Sequence, residues 1–342
     1  DKGVDGFRVD VMWHMIKDEQ FRDNPVNPDY KQHMATYEQL IPVYSTDQPE
    51  VHEVVKKMRQ LLDSYHERMM IGEIYLPIHK LVTYYGVNNS EAHLPFNFLL
   101  VSTPWQADVL AATIAEYEGA LPASGWPNWV LGNHDQPRLT SRVGVQQARV
   151  AAMLLLTLRG TPTLYYGDEI GMRDVAIPFD EVQDPQGLNM PDKNLSRDPA
   201  RTPMQWSAEE NAGFTTGNPW LRLDKSYARH NVEVENNNPY SMLQFYKKLI
   251  HFRQSQPALK YGDYIPVYAD QQVLAFKRSV KGEKSFLILL NISHRPCYYK
   301  PSQPVKGTIV LATSPELEGG AVAQNINLGG DEGVIIELED RK

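Results

Sequence analysis

The sequence has almost no cysteine, no long hydrophobic run and no excess of basic residues, and each shortage excludes a class of protein. Cys297 is the only cysteine among 342 residues, so neither an intrachain disulfide nor a metal cage made of cysteines can form. The longest apolar run, residues 150–158, is far too short to cross a bilayer. Because the net charge is −8, we expect no nucleic-acid partner. The scarcity of thiols favours a reducing compartment, so we expect a cytoplasmic location.

What remains is the composition of a folded globular protein. Apolar residues make up 42% of the chain and charged residues 22%, which excludes global disorder. A chain of 342 residues exceeds the usual size of one hydrophobic core, so we expect a large domain and a smaller one.

Short apolar segments alternate with helical patterns through most of the chain. Strands are predicted at 6–12, 69–75, 94–101, 129–132 and 163–166, and helices around 15–21 and at 49–68, 105–119, 145–158 and 241–254. This alternation predicts parallel βαβ units, in either an open doubly wound sheet or a barrel. The stretch 172–239 is rich in Pro, Asn, Asp and Gly, and irregular segments of that length are usually functional. After residue 257 the pattern becomes all-β, which predicts an α/β domain at 1–257 and an antiparallel sandwich at 258–342.

Three acidic residues follow three of the predicted strands. Asp10, Glu73 and Asp135 are separated by 63 and 62 residues, and sites in parallel α/β folds form at the carboxyl ends of strands. Glycoside cleavage needs two carboxyls in different electrostatic states. Arg8 precedes Asp10 by two residues on the same strand face and would keep it ionised, whereas the apolar neighbours of Glu73 would raise its pKa. Structural ion pairs or caps remain an alternative interpretation of each acid.

Five segments make a more specific pattern together. They are GFRVDV (6–11), GEI (72–74), NHD (133–135), GTPTLYYGDEIG (160–171) and RDPARTPMQW (197–206). In this order they resemble characteristic regions of glycoside hydrolase family 13, the α-amylase superfamily, in its α-glucosidase and oligo-1,6-glucosidase branch. The resemblance implies a (β/α)8 TIM barrel, with strands four to eight in residues 1–257, followed by a C-terminal antiparallel β-sandwich at 258–342.

The resemblance also implies a role for each acid. Asp10 would be the nucleophile, Glu73 the acid/base and Asp135 the stabiliser of the transition state, in a retaining, exo-acting α-glucosidase. The reaction would pass through a covalent glucosyl intermediate on Asp10, and transfer to other acceptors is a further expectation. Arg8 would orient Asp10, and His134 would bind hydroxyls of the terminal glucose.

Four further residues are candidates for substrate binding. Either Arg197 or Arg201 is similar to the arginine that holds the terminal sugar, and Arg138 would brace the site; the alternative for each is a loop-locking ion pair. Val11 resembles the valine of α-1,6-active members, although simple strand packing would also explain it.

Part of the family pattern has no counterpart in these residues. Barrel strands one to three, the segment Asp-x-x-x-x-Asn-His and a glucose-stacking Tyr are missing, so we expect the N-terminal part of the same enzyme, or a homodimer partner, to complete the fold. The isolated chain is then expected to be inactive or weakly stable, because open strand edges and apolar faces are exposed. No cofactor is expected for the chemistry, and a structural Ca²⁺ would belong to the missing part.

Two other functions are consistent with this family. One is a catalytically silent scaffold, as in transporter heavy chains, which lose the acids that this chain retains. The other is an endo-acting amylase, which the RDPARTPMQW segment disfavours.

Overall fold

A computed structural model describes residues 3–301, 303–323 and 325–339. The described residues form two compact units. The first comprises the residues up to Phe98, with Glu116–Trp129 and Asp184–Ser196. The second comprises Leu99–Ala115, Val130–Gln183 and the residues from Arg197 onward. The boundary predicted at 257/258 falls at the first residue of a short helix and remains a prediction.

The described residues contain ten α-helices and thirteen strands. The strands are β1 Gly6–Val9, β2 Met69–Gly72, β3 Leu94–Pro95, β4 Asn128–Val130, β5 Thr161–Thr163, β6 Asp263–Ala269, β7 Val273–Ser279, β8 Phe286–Asn291, β9 Cys297–Tyr299, β10 Gly307–Ala312, β11 Ala321–Val322, β12 Ile326–Leu328 and β13 Gly333–Leu338. The helices are α1 Val51–Asp63, α2 Ile78–Leu81, α3 Leu99–Ser102, α4 Ala107–Ala120, α5 Leu139–Val143, α6 Val145–Thr157, α7 Pro185–Asn189, α8 Val232–Asn236, α9 Met242–Ser255 and α10 Pro257–Tyr261.

The first unit is organised around a parallel sheet in the order β1-β2-β3. Strands β1 and β2 pair from Gly6 opposite Met69 to Val9 opposite Gly72, so both end at the same level. Helix α1, which connects them, buries one apolar face and leaves its charged face in water, as its amphipathic sequence predicts.

The second unit is organised around α6, which from Val150 to Leu156 is apolar on all sides and buried. Arg253 of α9 is buried beside the end of this helix and donates to the carbonyls of Leu156, Leu158 and Gly160. Leu156 belongs to the last turn of α6, where carbonyls lack intrahelical partners, and Leu158 and Gly160 follow directly after the helix. The three hydrogen bonds fix the chain just before β5 begins.

The C-terminal strands form the predicted antiparallel sandwich. Six strands pair in the order β11-β10-β13-β8-β7-β6, and β9 pairs with β12 in a second small sheet. Apolar side chains of both sheets share one core, among them Leu289, Ile336, Tyr299 and Leu328. Together with the parallel strands that alternate with helices, this confirms the predicted fold class, a stretch of a (β/α)8 barrel followed by a β-sandwich.

Several predicted elements had the wrong bounds. Strand β1 ends at Val9 because Val11 adopts a left-handed backbone (φ 39°, ψ 48°), which a strand does not accommodate. The helix predicted around 15–21 is absent; a single 3-10 turn covers Met12–His14, and Phe21 is exposed.

The later strands also differ from the prediction. The strand predicted at 94–101 is limited to β3, because Pro95 has no N–H to donate to a ladder. Residues 96–98 are irregular apart from an isolated bridge of Asn97 to Trp129, and α3 begins at Leu99. Strand β5 begins two residues before its predicted start at 163 and ends at Thr163. In the described part of the chain, no helix has the length and apolar character of a membrane span.

Candidate active site

Two of the three acids follow neighbouring parallel strands in the first unit. Asp10 comes directly after β1, and Glu73 directly after β2. The ladder continues past the strand ends, because the Glu73 amide donates to the carbonyl of Val9 at 3.0 Å and the Met12 amide donates to the carbonyl of Glu73 at 3.1 Å. The backbone segments that carry the two carboxyls are therefore held together by hydrogen bonds beyond the strand ends.

The left-handed backbone of Val11 gives the site its local shape. This conformation is an outlier for a β-branched residue, and such strain is typical of functional sites. It directs the Val11 amide to Oε2 of Glu73 at 2.9 Å. Gly72, the last residue of β2, leaves room for Met12, since a Cβ there would lie 2.8 Å from Sδ of Met12.

The two carboxyls lie in opposite electrostatic environments. The Asp10 side chain is 71% exposed and pairs with Arg8, whereas that of Glu73 is 4% exposed. Burial is the main cause that raises the pKa of Glu73, and the nearby Asp10 carboxyl adds to it. The Val11 amide and Arg8, whose Nη2 is 2.9 Å from Oε2 of Glu73, oppose this shift. The pair thus combines an exposed carboxylate with a buried carboxyl that tends to hold its proton.

The third acid is held by two arginines in the second unit. Oδ1 of Asp135 accepts from Nη1 of Arg197 at 3.0 Å and from Nη2 of Arg201 at 2.9 Å. Arg201 also donates through Nε to the carbonyl of His134 at 2.8 Å. Nε2 of His134 lies 3.5 Å from Oδ2 of Asp135. Both arginines between which the sequence could not choose therefore contact the same carboxylate.

Two tyrosines and a buried arginine anchor the segment that carries these arginines. The hydroxyl of Tyr165 donates to the carbonyl of Ala200 at 3.0 Å, and that of Tyr166 donates to the carbonyl of Thr202 at 2.7 Å. Arg138 is fully buried, and its guanidinium donates to the carbonyl of Tyr166 at 2.6 Å and faces both tyrosine rings. Arg138 thus packs against the two tyrosines that anchor this segment.

A cavity of about 580 Å³ adjoins this cluster within the second unit. Its walls are mostly aromatic and apolar; they are formed by His134, Tyr165, Tyr166, Glu169, Arg201, Pro203, Met204, Trp206, Phe214 and Trp220. None of these aromatic residues was predicted as a site residue, although Tyr165, Tyr166 and Trp206 lie in two of the five characteristic segments.

The predicted site residues therefore form two groups. Arg8, Asp10, Val11 and Glu73 lie together in the first unit. His134, Asp135, Arg138, Arg197 and Arg201 belong to the second. Among the residues that the structure describes, no group of three or more His, Cys, Asp or Glu side chains could hold a metal ion.

Comparisons with known proteins identify related chains. The family model described as alpha amylase, catalytic domain, matches residues 1–262. An alpha-glucosidase of Culex pipiens is 37% identical over 305 residues, which are 86% of this chain and 50% of that protein. A human amino acid transporter heavy chain is 32% identical over 354 residues, 98% of this chain and 50% of that one.

Solved structures also include chains that are similar to this one. The alpha-glucosyl transfer enzyme XgtA superposes with a TM-score of 0.89 at 29% identity, and the match covers 98% of this chain and 64% of that one. The chain spans about half the length of the curated relatives that it matches.

Proposed function

The chain belongs to the alpha-amylase family, and from that membership we propose that it carries the catalytic carboxyls of a retaining, exo-acting α-glucosidase. The substrates are terminal, non-reducing α-linked glucose residues of short oligosaccharides or glucosides. The relatives and the arrangement of the acids support this proposal, which concerns the activity of the whole protein.

The proposed reaction has two steps with balanced bonds and protons. In the first, an oxygen of Asp10 bonds to the anomeric carbon while the glycosidic bond breaks, and Glu73 gives its proton to the leaving oxygen. In the second, water attacks the anomeric carbon, Glu73 takes a proton from it, and the bond to Asp10 breaks. An acceptor hydroxyl in place of water gives transglucosylation.

The observation that carries the assignment is the contrast between the two carboxyls. An exposed, arginine-paired Asp10 suits a nucleophile, which must be ionised. A buried Glu73 with a raised pKa suits a general acid, which must keep its proton near neutral pH. The reverse assignment would require the buried group to be the more acidic one.

The remaining site residues support the chemistry in this proposal. Asp135, held by Arg197 and Arg201, binds two sugar hydroxyls and favours the distorted ring of the transition state. His134 binds a further hydroxyl, and Arg138 supports the tyrosines behind it.

Val11 bears on linkage preference in the same proposal. Its side chain is 40% exposed directly beside Asp10, where it would meet the residue attached to the cleaved bond. We expect a preference for α-1,6 linkages.

The proposal extends to partners and location. The segment that corresponds to barrel strands one to three, from the same protein or a homodimer partner, completes the site; β1 pairs with β2 and, among the described strands, with no other. No cofactor takes part in the chemistry, and a structural Ca²⁺ would bind in that additional segment. The proposed location is cytoplasmic.

The test measures release of nitrophenol from 4-nitrophenyl α-D-glucoside by the full-length protein. Asp10→Asn is expected to abolish turnover. Glu73→Ala is expected to slow it, and azide should restore it with α-glucosyl azide as the product, because azide needs no general base. Gln254→Met, at an exposed position of α9, serves as the control. Turnover that survives Asp10→Asn would refute the proposal.

Two alternatives are distinguished by the same experiments. A silent scaffold, favoured by the similarity to a transporter heavy chain, predicts no turnover in the unaltered protein. An endo-acting amylase predicts faster cleavage of starch than of maltose, whereas the proposed exo-acting enzyme prefers maltose.

A further inference from the structure

His230 pairs with a buried carboxylate in the second unit, away from the three candidate acids. Its Nε2 lies 2.9 Å from Oε1 of Glu235. This hydrogen bond is the main cause that raises the pKa of His230 above its ordinary value of 6.5, and a hydrogen bond to the backbone of Ile170 adds to it, whereas partial burial opposes both. The contacts of the ring therefore favour its protonated form.

Four other charged side chains surround the same ring. Together with His230 they line a cavity of about 470 Å³, and they are Arg149, Arg173, Asp224 and Glu235. The two acids both favour the imidazolium, and Glu235 touches it. The acids outweigh the two arginines for this reason, so the positive charge of the ring has its counter-charge in direct contact.

The carboxylate that receives His230 is itself fixed at the start of α9. Oε2 of Glu235 accepts from the Leu243 amide at 3.0 Å, and the Ser241 hydroxyl donates to the carbonyl of Glu235 at 2.7 Å. A negative charge at a helix N-terminus is stabilised by the free amides and the helix dipole. Glu235 thus gives His230 an acceptor that does not move.

The backbone of His230 is joined to the segment that carries Arg201. Gln205, which is 1% exposed, donates through its side-chain amide to the carbonyl of His230. The Val232 amide donates to the carbonyl of Gln205 at 3.0 Å. Arg201, four residues before Gln205, donates to Oδ1 of Asp135. A continuous series of contacts therefore connects the ring of His230 to the arginines that hold Asp135.

We propose that His230 is a positioning residue for sugar binding, whose protonated ring holds the segment that ends at Gln205 against α9. Loss of the proton loosens this segment, and with it Arg197 and Arg201, so the affinity of Asp135 for sugar falls. The hold is complete below pH 6.5 and is lost as the pH rises through the raised pKa of His230. The effect on sugar rests on the proposed function, whereas the hold on the segment does not depend on catalysis.

Hydrogen–deuterium exchange of the full-length protein tests the hold on the segment. Mass spectrometry compares peptides from 201–206 and 230–234 in the unaltered protein and in His230→Gln at the same pH, so that the intrinsic pH dependence of exchange cancels. Below pH 6.5, these peptides of His230→Gln are expected to exchange several-fold faster. Above the pKa of His230, which NMR titration of the ring measures, both proteins are expected to exchange equally, because neutral histidine and glutamine both lack the charge.

Calorimetry with maltose tests the effect on the site. The dissociation constants are measured for full-length Asp10→Asn protein with and without His230→Gln. Their ratio is expected to be several-fold below pH 6.5 and close to one above the pKa of His230. Titration of other groups at the site affects both proteins alike and cancels in the ratio. A role of His230 in packing alone predicts a ratio that does not change with pH.

A matched control and a second variant complete the experiment. His251→Gln replaces an exposed histidine of α9 and is expected to behave as the unaltered protein at every pH. Glu235→Gln keeps an oxygen for the Leu243 amide but removes the charge. It is expected to lower the pKa of His230 and to loosen the same peptides, which keeps the inference testable even if His230→Gln fails to fold.

The outcomes separate this inference from the proposed function. Ratios of one at every pH, or ratios that stay constant with pH, in either experiment would overturn the inference and leave the hydrolysis test untouched. The expected exchange ratios, in a full-length protein that binds no maltose and releases no nitrophenol, would support the hold of His230 on the segment and refute the proposed function.

Discussion

Substitution of Arg253 tests how much its hydrogen bonds stabilise the second unit, because its guanidinium donates to three backbone carbonyls at and just after the end of α6. The acceptors are the carbonyls of Leu156 at 2.8 Å, Leu158 at 3.0 Å and Gly160 at 2.6 Å. The side chain is 8% exposed, and burial lowers its pKa to about 10. Arg253→Met keeps most of the aliphatic stem and removes all three hydrogen bonds.

The magnitude follows from opposing contributions. Each buried carbonyl left without a partner costs roughly 1–3 kcal/mol, so the three together cost about 3–9 kcal/mol. Removing the guanidinium also removes the cost of burying its charge, which is several kcal/mol. We therefore expect the net loss near the lower limit, about 3 kcal/mol, which lowers Tm by roughly 4 °C in a chain of this size.

Thermal unfolding followed by far-UV circular dichroism measures this loss. Gln254→Met, the exposed neighbour on the same helix, introduces the same side chain and is expected to leave Tm within about 1 °C, as surface changes usually do. Arg253→Lys keeps the charge but reaches fewer carbonyls, so an intermediate Tm is expected. If Arg253→Met unfolded at the same temperature as Gln254→Met, the assignment of stability to these contacts would be refuted.

Three further predictions concern other parts of the chain. Arg8→Met is expected to raise the already raised pKa of Glu73 further, because the positive charge of Arg8 stabilises the ionised carboxyl and the substitution removes it. Carbon-13 NMR titration of the Glu73 side-chain carboxyl measures this pKa, and a lowered value contradicts the prediction. Val11→Gly is expected to stabilise the first unit by about 1 kcal/mol in thermal unfolding, because glycine adopts the left-handed backbone without strain. Gly307→Ala is expected to destabilise the C-terminal sheet by about 2 kcal/mol in urea, since its Cβ would lie 2.2 Å from the carbonyl oxygen of Glu337; an unchanged midpoint would contradict this.

The sequence predicted those features that follow from periodicity and chain order. The position of Asp10 and Glu73 at adjacent strand ends could be predicted, because parallel strands joined by a helix end on the same side. The burial of α6 and four of the C-terminal strands followed from continuous or alternating apolar residues. The raised pKa of Glu73 also follows from its apolar neighbours.

The features that were missed depend on contacts distant in sequence. No local pattern indicates that Val11 leaves the strand conformation, because its backbone is stabilised through the Glu73 carboxylate. Similarly, the choice between Arg197 and Arg201 had no answer in the sequence, since both contact Asp135, from which they are 62 and 66 residues distant along the chain. Trp206, Phe214 and Trp220 lie in a stretch without helical or strand periodicity, so no local pattern showed that they line one cavity.

The pairing of β1 with β2 has a consequence for how the protein can change over evolutionary time. The spacing of Asp10 and Glu73 is determined by ladder hydrogen bonds at the ends of two strands, and the long connection between them contributes no side chain to that ladder. Insertions and deletions in the irregular part of this connection, before α1 begins, therefore leave the geometry of the two carboxyls unchanged. Natural variation in length should concentrate there, and new surface properties can arise in that segment at no cost to the spacing of the two acids.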